Sequence, residues 1–65
     1  MLKIKNYLFN EDEIKYIKPN YRNNVHNSYT IEIIFKDDDY LDIYFYSQEE
    51  RDEELNRVLK KVEEK

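Results

Sequence analysis

The chain has 65 residues, a formal net charge of −4 at pH 7, and neither cysteine nor glycine. This length supports one small domain, 1–65, whose buried fraction is near the lower limit for folding alone. The lack of cysteine excludes disulfides and thiolate sites, and the lack of glycine excludes phosphate-binding loops of the P-loop or dinucleotide type.

Charge is unevenly distributed along the chain. Residues 1–36 carry six basic and four acidic side chains, whereas residues 37–65 carry five basic and eleven acidic ones. This balance argues against direct binding of nucleic acid, which needs clustered Lys and Arg, and it permits a basic protein partner. The alternative is a solvated acidic surface that keeps a small protein in solution. Because the chain shows neither a signal-peptide core nor a membrane-length apolar run, we expect a cytoplasmic protein without a membrane association.

The first elements in chain order are two predicted strands. Leu2, Ile4 and Leu8 alternate with polar residues, which predicts a strand over about 2–9. A polar turn at 10–13 follows, and a second, short strand is predicted over about 14–18. We expect Pro19 to end this strand because proline lacks a backbone donor. The buried face of the second strand stays open, since Ile14 lies opposite to Ile17.

These opening residues also carry a resemblance. The segment Asn6-Tyr7-Leu8-Phe9-Asn10, followed by Ile14-Lys15-Tyr16-Ile17, resembles the opening hairpin of small uncharacterised bacterial and phage proteins. Those proteins are built as a strand meander with one C-terminal helix. The resemblance extends to the later hairpin and the final helix, and it implies a fold rather than an activity.

The segment from Pro19 to Ser28 is rich in turn-forming residues and has no clear period. Longer loops are often binding sites, and this one offers Tyr21, Arg22 and His26 as an alternative ligand-binding set. The competing interpretation is a hairpin tip without a binding role.

The clearest strand pattern covers the two segments 29–36 and 40–46, which alternate with period two. A loop of Asp37, Asp38 and Asp39 would pair Ile33 with Ile43 and place both apolar rows on one face. We expect Asp39 to take the left-handed position that glycine usually holds. The paired residues in this register are Phe35 with Leu41, Ile33 with Ile43, and Ile31 with Phe45.

A helix is predicted over about 48–64. Ser47 and Glu50 form a capping box, and an apolar stripe follows at helical spacing. The predicted fold class is therefore α+β: a four-stranded antiparallel sheet (meander) with a single C-terminal helix packed on one face. The predicted core contains Leu2, Ile4, Ile31, Ile33, Phe35, Leu41, Ile43, Phe45, Leu55, Val58, Leu59 and Val62.

One helix covers one face of such a sheet and leaves the other uncovered. The uncovered face is predicted to present Ile34, Tyr40, Tyr44 and Tyr46, with Tyr7 and Ile17 as further candidates. Glu32, Lys36 and Asp42 would form its rim, and an apolar patch with a polar rim is typical of a protein interface. The alternative is the ordinary preference of tyrosine for exposed strands.

No catalytic, metal-binding or cofactor-binding set is evident, so we expect no enzyme activity. His26 is the single histidine, and Ser47 is explained as a helix cap. The aspartate run at 37–39 lacks the alternating spacing and the distal glutamate of a calcium loop.

The leading functional hypothesis is a small acidic protein-binding module, such as a phage or mobile-element inhibitor of a nucleic-acid-binding host defence complex. Alternatives are an oligomeric module that binds a small ligand through the 19–28 loop, and a housekeeping subunit. We expect self-association as a dimer, through the tyrosines or by edge pairing of strands. The predicted partner-binding residues are Ile34, Tyr40, Tyr44 and Tyr46 as anchors, with Asp37, Asp38, Asp39, Asp42, Glu49, Glu50 and Glu53 as steering charges.

Overall fold

The computed structural model of the chain describes residues 1–23 and 28–63 and confirms the α+β class. The elements in chain order are β1 (Leu2–Ile4), β2 (Tyr7–Phe9), a 3-10 turn (Glu11–Glu13), β3 (Ile14–Tyr21), β4 (Tyr29–Phe35), β5 (Tyr40–Phe45) and helix α1 (Gln48–Glu63). The strands β3, β4 and β5 form one antiparallel sheet, and β1 and β2 form a second, two-stranded sheet.

The prediction of a single four-stranded sheet is wrong, because the predicted first strand is itself a hairpin. Ile4 pairs with Tyr7 across a two-residue turn in which Lys5 has a left-handed backbone, with φ of 54°. Tertiary contacts hold Lys5 in this conformation. Its backbone N–H donates to Glu54 Oε2 at 3.1 Å, and its Nζ donates to the carbonyl oxygen of Tyr44.

The prediction that Pro19 ends the second strand is also wrong, since β3 continues through it to Tyr21. The backbone N–H of Arg22 donates to Ser28 O at 2.8 Å, just beyond the end of β3. Along an antiparallel pair, every second residue directs its backbone N–H and C=O to the neighbouring strand. Counting back from Arg22, Asn20 and Lys18 bond to β4, and the nitrogen of Pro19 points to the open edge. Proline is tolerated there because no donor is needed.

The β4–β5 hairpin keeps the predicted faces but differs from the predicted register by two residues. Ile33 pairs with Leu41 and Ile31 pairs with Ile43. The three-residue loop is 36–38 rather than 37–39, and Asp38, with φ of 72°, takes the left-handed position predicted for Asp39. The Oδ1 atom of Asp37 accepts from Asp39 N at 3.1 Å, which stabilises this loop locally.

The core lies between one face of the three-stranded sheet and a layer made by α1 together with the β1–β2 hairpin. Ile17 pairs with Ile33, which settles the buried side of β3, and a bulge at Lys15 turns Tyr16 to the opposite side. The buried apolar residues are Leu2, Ile4, Phe9, Ile31, Ile33, Ile43, Phe45, Leu55 and Val58.

The predicted core differs from this set at five positions. Phe35 and Leu41 are only partly buried, and Phe9 is buried although it was not predicted to be. Leu59 and Val62 are 38% and 40% exposed, because they line an apolar cleft of about 170 Å³ between α1 and β3 instead of packing onto a sheet.

The start of α1 follows the predicted cap. Glu50 N donates to Ser47 Oγ at 3.1 Å, so the serine satisfies one of the amides that a helix N-terminus leaves without a partner. This confirms the serine half of the capping box.

Candidate functional site

The outer face of the three-stranded sheet, on the side away from α1, is the candidate site. The pairing of the strands arranges its side chains in three rows that cross β3, β4 and β5. The rows are Tyr16, Ile34 and Tyr40 near the β4–β5 loop; Lys18, Glu32 and Asp42 in the middle; and Asn20, Thr30 and Tyr44 at the far end. We call this surface the tyrosine face.

The row nearest the loop is apolar and accessible. Tyr40 is 64% exposed, Tyr16 is also exposed, and Ile34 between them is half-buried. Two aromatic rings on either side of a branched aliphatic side chain are a favourable cross-strand arrangement. This row therefore offers a continuous apolar strip three side chains wide.

The middle row is ionic, and its two carboxylates are nearly buried. The side chains of Glu32 and Asp42 lie opposite each other on neighbouring strands and are 9% and 10% exposed. Two like charges in this position repel each other unless a cation lies between them. Arg22 supplies that cation: its Nε donates to Asp42 Oδ2 at 3.1 Å and its Nη2 to Glu32 Oε2 at 3.0 Å.

Two side chains of β3 also contact Glu32: Lys18 from the middle row and Asn20 from the row at the far end. The Nδ2 of Asn20 donates to Glu32 Oε2 at 2.7 Å, and Lys18 Nζ lies 3.8 Å from Glu32 Oε1. The hydrogen bond to Asp42 and the charge of Asp42 raise the pKa of Arg22 above its ordinary value. We call Arg22 together with the middle row the ionic row. Its two cations, Arg22 and Lys18, balance the two carboxylates, so it has no formal net charge.

Two buried oxygens on this face have no hydrogen-bond partner among the described residues. They are Oδ1 of Asp42 and Oγ1 of Thr30. A buried polar atom without a partner costs about 1–3 kcal/mol. The tyrosine face thus has two oxygens that could accept a hydrogen bond, one on β5 and one on β4.

The predicted anchor residues are partly brought together. Ile34, Tyr40 and Tyr44 share the tyrosine face. Tyr46 follows the end of β5 and is 76% exposed, outside the three rows. Ile17 lies on the core side and Tyr7 belongs to the two-stranded sheet, so neither joins this surface. Glu32 and Asp42 were predicted to form the rim, but they lie at the centre.

The predicted steering acids lie in two separate places. Asp37 and Asp38 are in the β4–β5 loop and Asp39 follows it, next to Tyr40. Glu49, Glu50 and Glu53 are exposed on the first part of α1, which begins after the other end of β5. Six residues of strand separate the two groups, a distance of roughly 20 Å.

The predicted ligand set of the 19–28 loop is divided between faces. Arg22 bonds to the acids of the tyrosine face, whereas the ring of Tyr21 packs edge-on against Tyr29 at 5.4 Å, on the opposite side. His26 lies outside the described residues. Sequence reasoning missed Lys18 and Asn20, although their period-two spacing from Tyr16 is the signal that places all three on one side.

Other kinds of site have little basis in the described part of the chain. Residues 1–23 and 28–63 contain no group of three or more His, Asp or Glu side chains placed to hold a metal ion. Within the same ranges, α1 is too short and too polar to cross a membrane. No family model matches the chain, and neither the curated proteins nor the solved structures searched contain a match.

Proposed function

We propose that the chain is a protein-binding module that docks a partner on its tyrosine face and acts by binding rather than by catalysis. The observation that carries this proposal is the exposed strip of Tyr16, Ile34 and Tyr40 beside an ionic row that is already internally paired. A few residues carry most of the binding energy of a protein interface, and tyrosine is enriched among them.

The ionic row supports docking because its charges are satisfied before a partner arrives. Burying an unpaired carboxylate is costly, whereas Glu32 and Asp42 already accept hydrogen bonds from Arg22. A partner that covers this face therefore leaves neither carboxylate without a cation.

The proposed partner is a basic, nucleic-acid-binding protein of a host defence complex. The chain would then be a phage or mobile-element protein that inhibits this complex. Support comes from the net charge of −4 and from the aspartates beside Tyr40. Acidic side chains next to an apolar strip accelerate encounter with a basic groove. The small-ligand alternative draws no support from Tyr21 and Arg22, because they point to opposite faces.

The partner can be identified by crosslinking from the face itself. A photoreactive phenylalanine analogue at Tyr40 should capture a protein that the same analogue at Asn56, on the exposed side of α1, does not. Equal capture from both positions would contradict docking on the tyrosine face.

Binding kinetics with that partner then separate anchoring from steering. Tyr44→Ala should weaken binding at every ionic strength. Changing Asp37, Asp38 and Asp39 together to Asn keeps the local hydrogen-bond acceptors, and it should slow association at low salt but matter little at high salt.

The matched control changes Glu49, Glu50 and Glu53 to Gln. These acids follow the far end of β5, roughly 20 Å along the strand from the β4–β5 loop. Because this exceeds a Debye length of about 10 Å at 0.1 M salt, their loss should affect association less. If the aspartate variant associates as fast as the parent at low salt, electrostatic steering is wrong and a purely apolar interface remains.

A further inference from the structure

The strand β5 lies at an edge of the three-stranded sheet, and no described strand pairs with its outer side. The hydrogen bond from Phe35 N to Asp39 O, at 2.8 Å, sets the alternation of bonds between β4 and β5. Residues 41, 43 and 45 therefore bond to β4, and the N–H and C=O groups of Tyr40, Asp42 and Tyr44 point away from the sheet. Lys5 Nζ donates a hydrogen bond to one of these outward groups, the carbonyl oxygen of Tyr44.

The opposite edge of the sheet, formed by β3, is closed to strand pairing. Pro19 directs a nitrogen without a proton to that edge, and the bulge at Lys15 interrupts its regular spacing. Proline and bulges are the usual devices that prevent edge-to-edge pairing. Since β5 carries neither device, the two edges are not equivalent.

Space for an added strand lies beside β5. A cleft of about 300 Å³ separates the turn of the β1–β2 hairpin, at Lys5, Asn6 and Tyr7, from Asp42, Ile43 and Tyr44. This cleft lies where a neighbouring strand would run. A strand added there would take the place of Lys5 Nζ at the carbonyl oxygen of Tyr44.

We propose that β5 accepts an extended segment of a partner protein as a fourth strand of the sheet, with a Lys or Arg opposite Asp42. This deepens the proposed function and rests on it. The side chain of Asp42 is 10% exposed, and its Oδ1 has no partner among the described residues. A cation opposite Asp42 lies on the same face and supplies the missing donor.

The same observation argues against β5 of a second copy of this chain as the occupant. Pairing β5 with itself places Asp42 opposite another Asp42, or opposite Tyr40 or Tyr44 when the register shifts by one pair. A second carboxylate repels the first. A tyrosine hydroxyl lies at the far end of a rigid ring, beyond the reach of the carboxylate opposite.

The flanking residues set the rest of the recognition pattern. Tyr40 and Tyr44 lie two positions on either side of Asp42, and aromatic residues pair well with β-branched residues on a neighbouring strand. A minimal probe is therefore the capped peptide Thr-Val-Thr-Lys-Thr-Val-Thr, in which the valines face the tyrosines and the lysine faces Asp42.

The test is a titration of the full chain with this peptide at millimolar concentration, followed by NMR. Backbone amides of Tyr40, Asp42 and Tyr44 should become protected from hydrogen exchange, whereas those of Leu41 and Ile43 should not change. Replacing the central lysine by glutamate should weaken binding about tenfold. The absence of binding, or protection without this alternation, overturns the proposal.

Backbone methylation of the peptide is a sharper control. A methyl group on the lysine nitrogen removes a ladder donor and should abolish binding, whereas a methyl group on the preceding threonine nitrogen points to solvent and should not. Equal affinity of the two methylated peptides rejects strand addition.

Variants of the protein distinguish this inference from the proposed function. Tyr44→Pro and Tyr44→Ala both lose the ring, but the proline also loses the outward N–H. If β5 accepts a strand, the proline variant should bind the partner identified by crosslinking at least tenfold more weakly than the alanine variant does. Equal loss in both variants would keep docking on the tyrosine face and discard strand addition. Loss in the proline variant alone would keep strand addition and discard docking on the tyrosine face.

Discussion

Asp38 has a left-handed backbone in a chain without glycine, with φ of 72°. This conformation is strained for residues with a Cβ atom, although aspartate tolerates it better than most. We expect Asp38→Gly to raise the free energy of unfolding by about 0.5 kcal/mol, since the exposed ion pair with Lys15 that it removes contributes little. Urea denaturation measures the change.

The matched control for Asp38 is Asp37→Gly, one residue earlier in the same loop. It removes the Oδ1 atom that accepts from Asp39 N, so it should lower the free energy of unfolding. If both glycine variants destabilise the protein alike, the loop is held by its side-chain contacts and backbone strain at Asp38 is negligible.

Glu54 connects α1 to the β1–β2 hairpin, and we expect its contribution to stability to depend on pH. Arg57 donates a hydrogen bond to its carboxylate and Lys5 N donates another, and together they hold the pKa of Glu54 below its ordinary value of 4.5. A carboxyl whose pKa is lower in the folded state adds stability above the unfolded pKa, and this contribution is lost as the pH falls through the folded pKa.

Comparison of the parent with Glu54→Gln should show this pH dependence. The parent should be the more stable protein at pH 6, and the difference should shrink as the pH falls below about 4.5. Glu53→Gln is the control, since Glu53 is exposed on the same helix. Thermal unfolding across this pH range gives the comparison, and a difference independent of pH would contradict the assigned role.

Strand alternation in the sequence predicts the faces of the β4–β5 hairpin but not its register. A one-residue slip moves an apolar row to the wrong side, and the pattern excludes it. A two-residue slip keeps Ile31, Ile33 and Phe35 on the same face as before, so the same pattern permits both registers. The loop decides between them, through the turn at Asp37 and the left-handed Asp38.

Arg51 attaches α1 to the sheet, and helical spacing from Leu55 and Val58 already places it on the buried side. Its side chain is buried, and Nη1 donates to the carbonyl oxygens of Asn20 and Thr30 at 2.9 and 3.2 Å. Hydrogen bonds from a charged donor are stronger than neutral ones. The arginine thus ties the helix to the paired ends of β3 and β4.

Replacing Arg51 by Met, which keeps the apolar stem, should lower the free energy of unfolding by about 1.5–3 kcal/mol. Arg51→Lys should recover little of this loss, because one ammonium group cannot reproduce the planar guanidinium geometry. Lys60→Met, at an exposed position of the same helix, should change stability by less than about 0.5 kcal/mol. Similar losses at both positions, measured by urea denaturation, would rule out this role for Arg51.

For the whole molecule, the sequence predicts the α+β class, the helix and the part of the tyrosine face that β4 and β5 supply through Ile34, Tyr40 and Tyr44. It does not predict the break in the first strand, because the turn at Lys5 depends on distant contacts with Glu54 and Tyr44. It also misses the ionic row. The predicted second strand ends at Lys18 with its buried side open, so its alternation does not assign Lys18 and Asn20 to the outer face beside Glu32.

Self-association is the prediction that concerns the assembled protein. An exposed apolar strip on a core of nine buried apolar residues favours a dimer in which two tyrosine faces meet. Light scattering at tens of micromolar, where an interface of about −6 kcal/mol begins to form, should show twice the monomer mass. Tyr40→Lys should restore the monomer and Asn56→Lys, on the exposed side of α1, should not. A monomeric parent contradicts the prediction, and a dimer that survives Tyr40→Lys but not Tyr44→Pro would place the contact at the edge of β5.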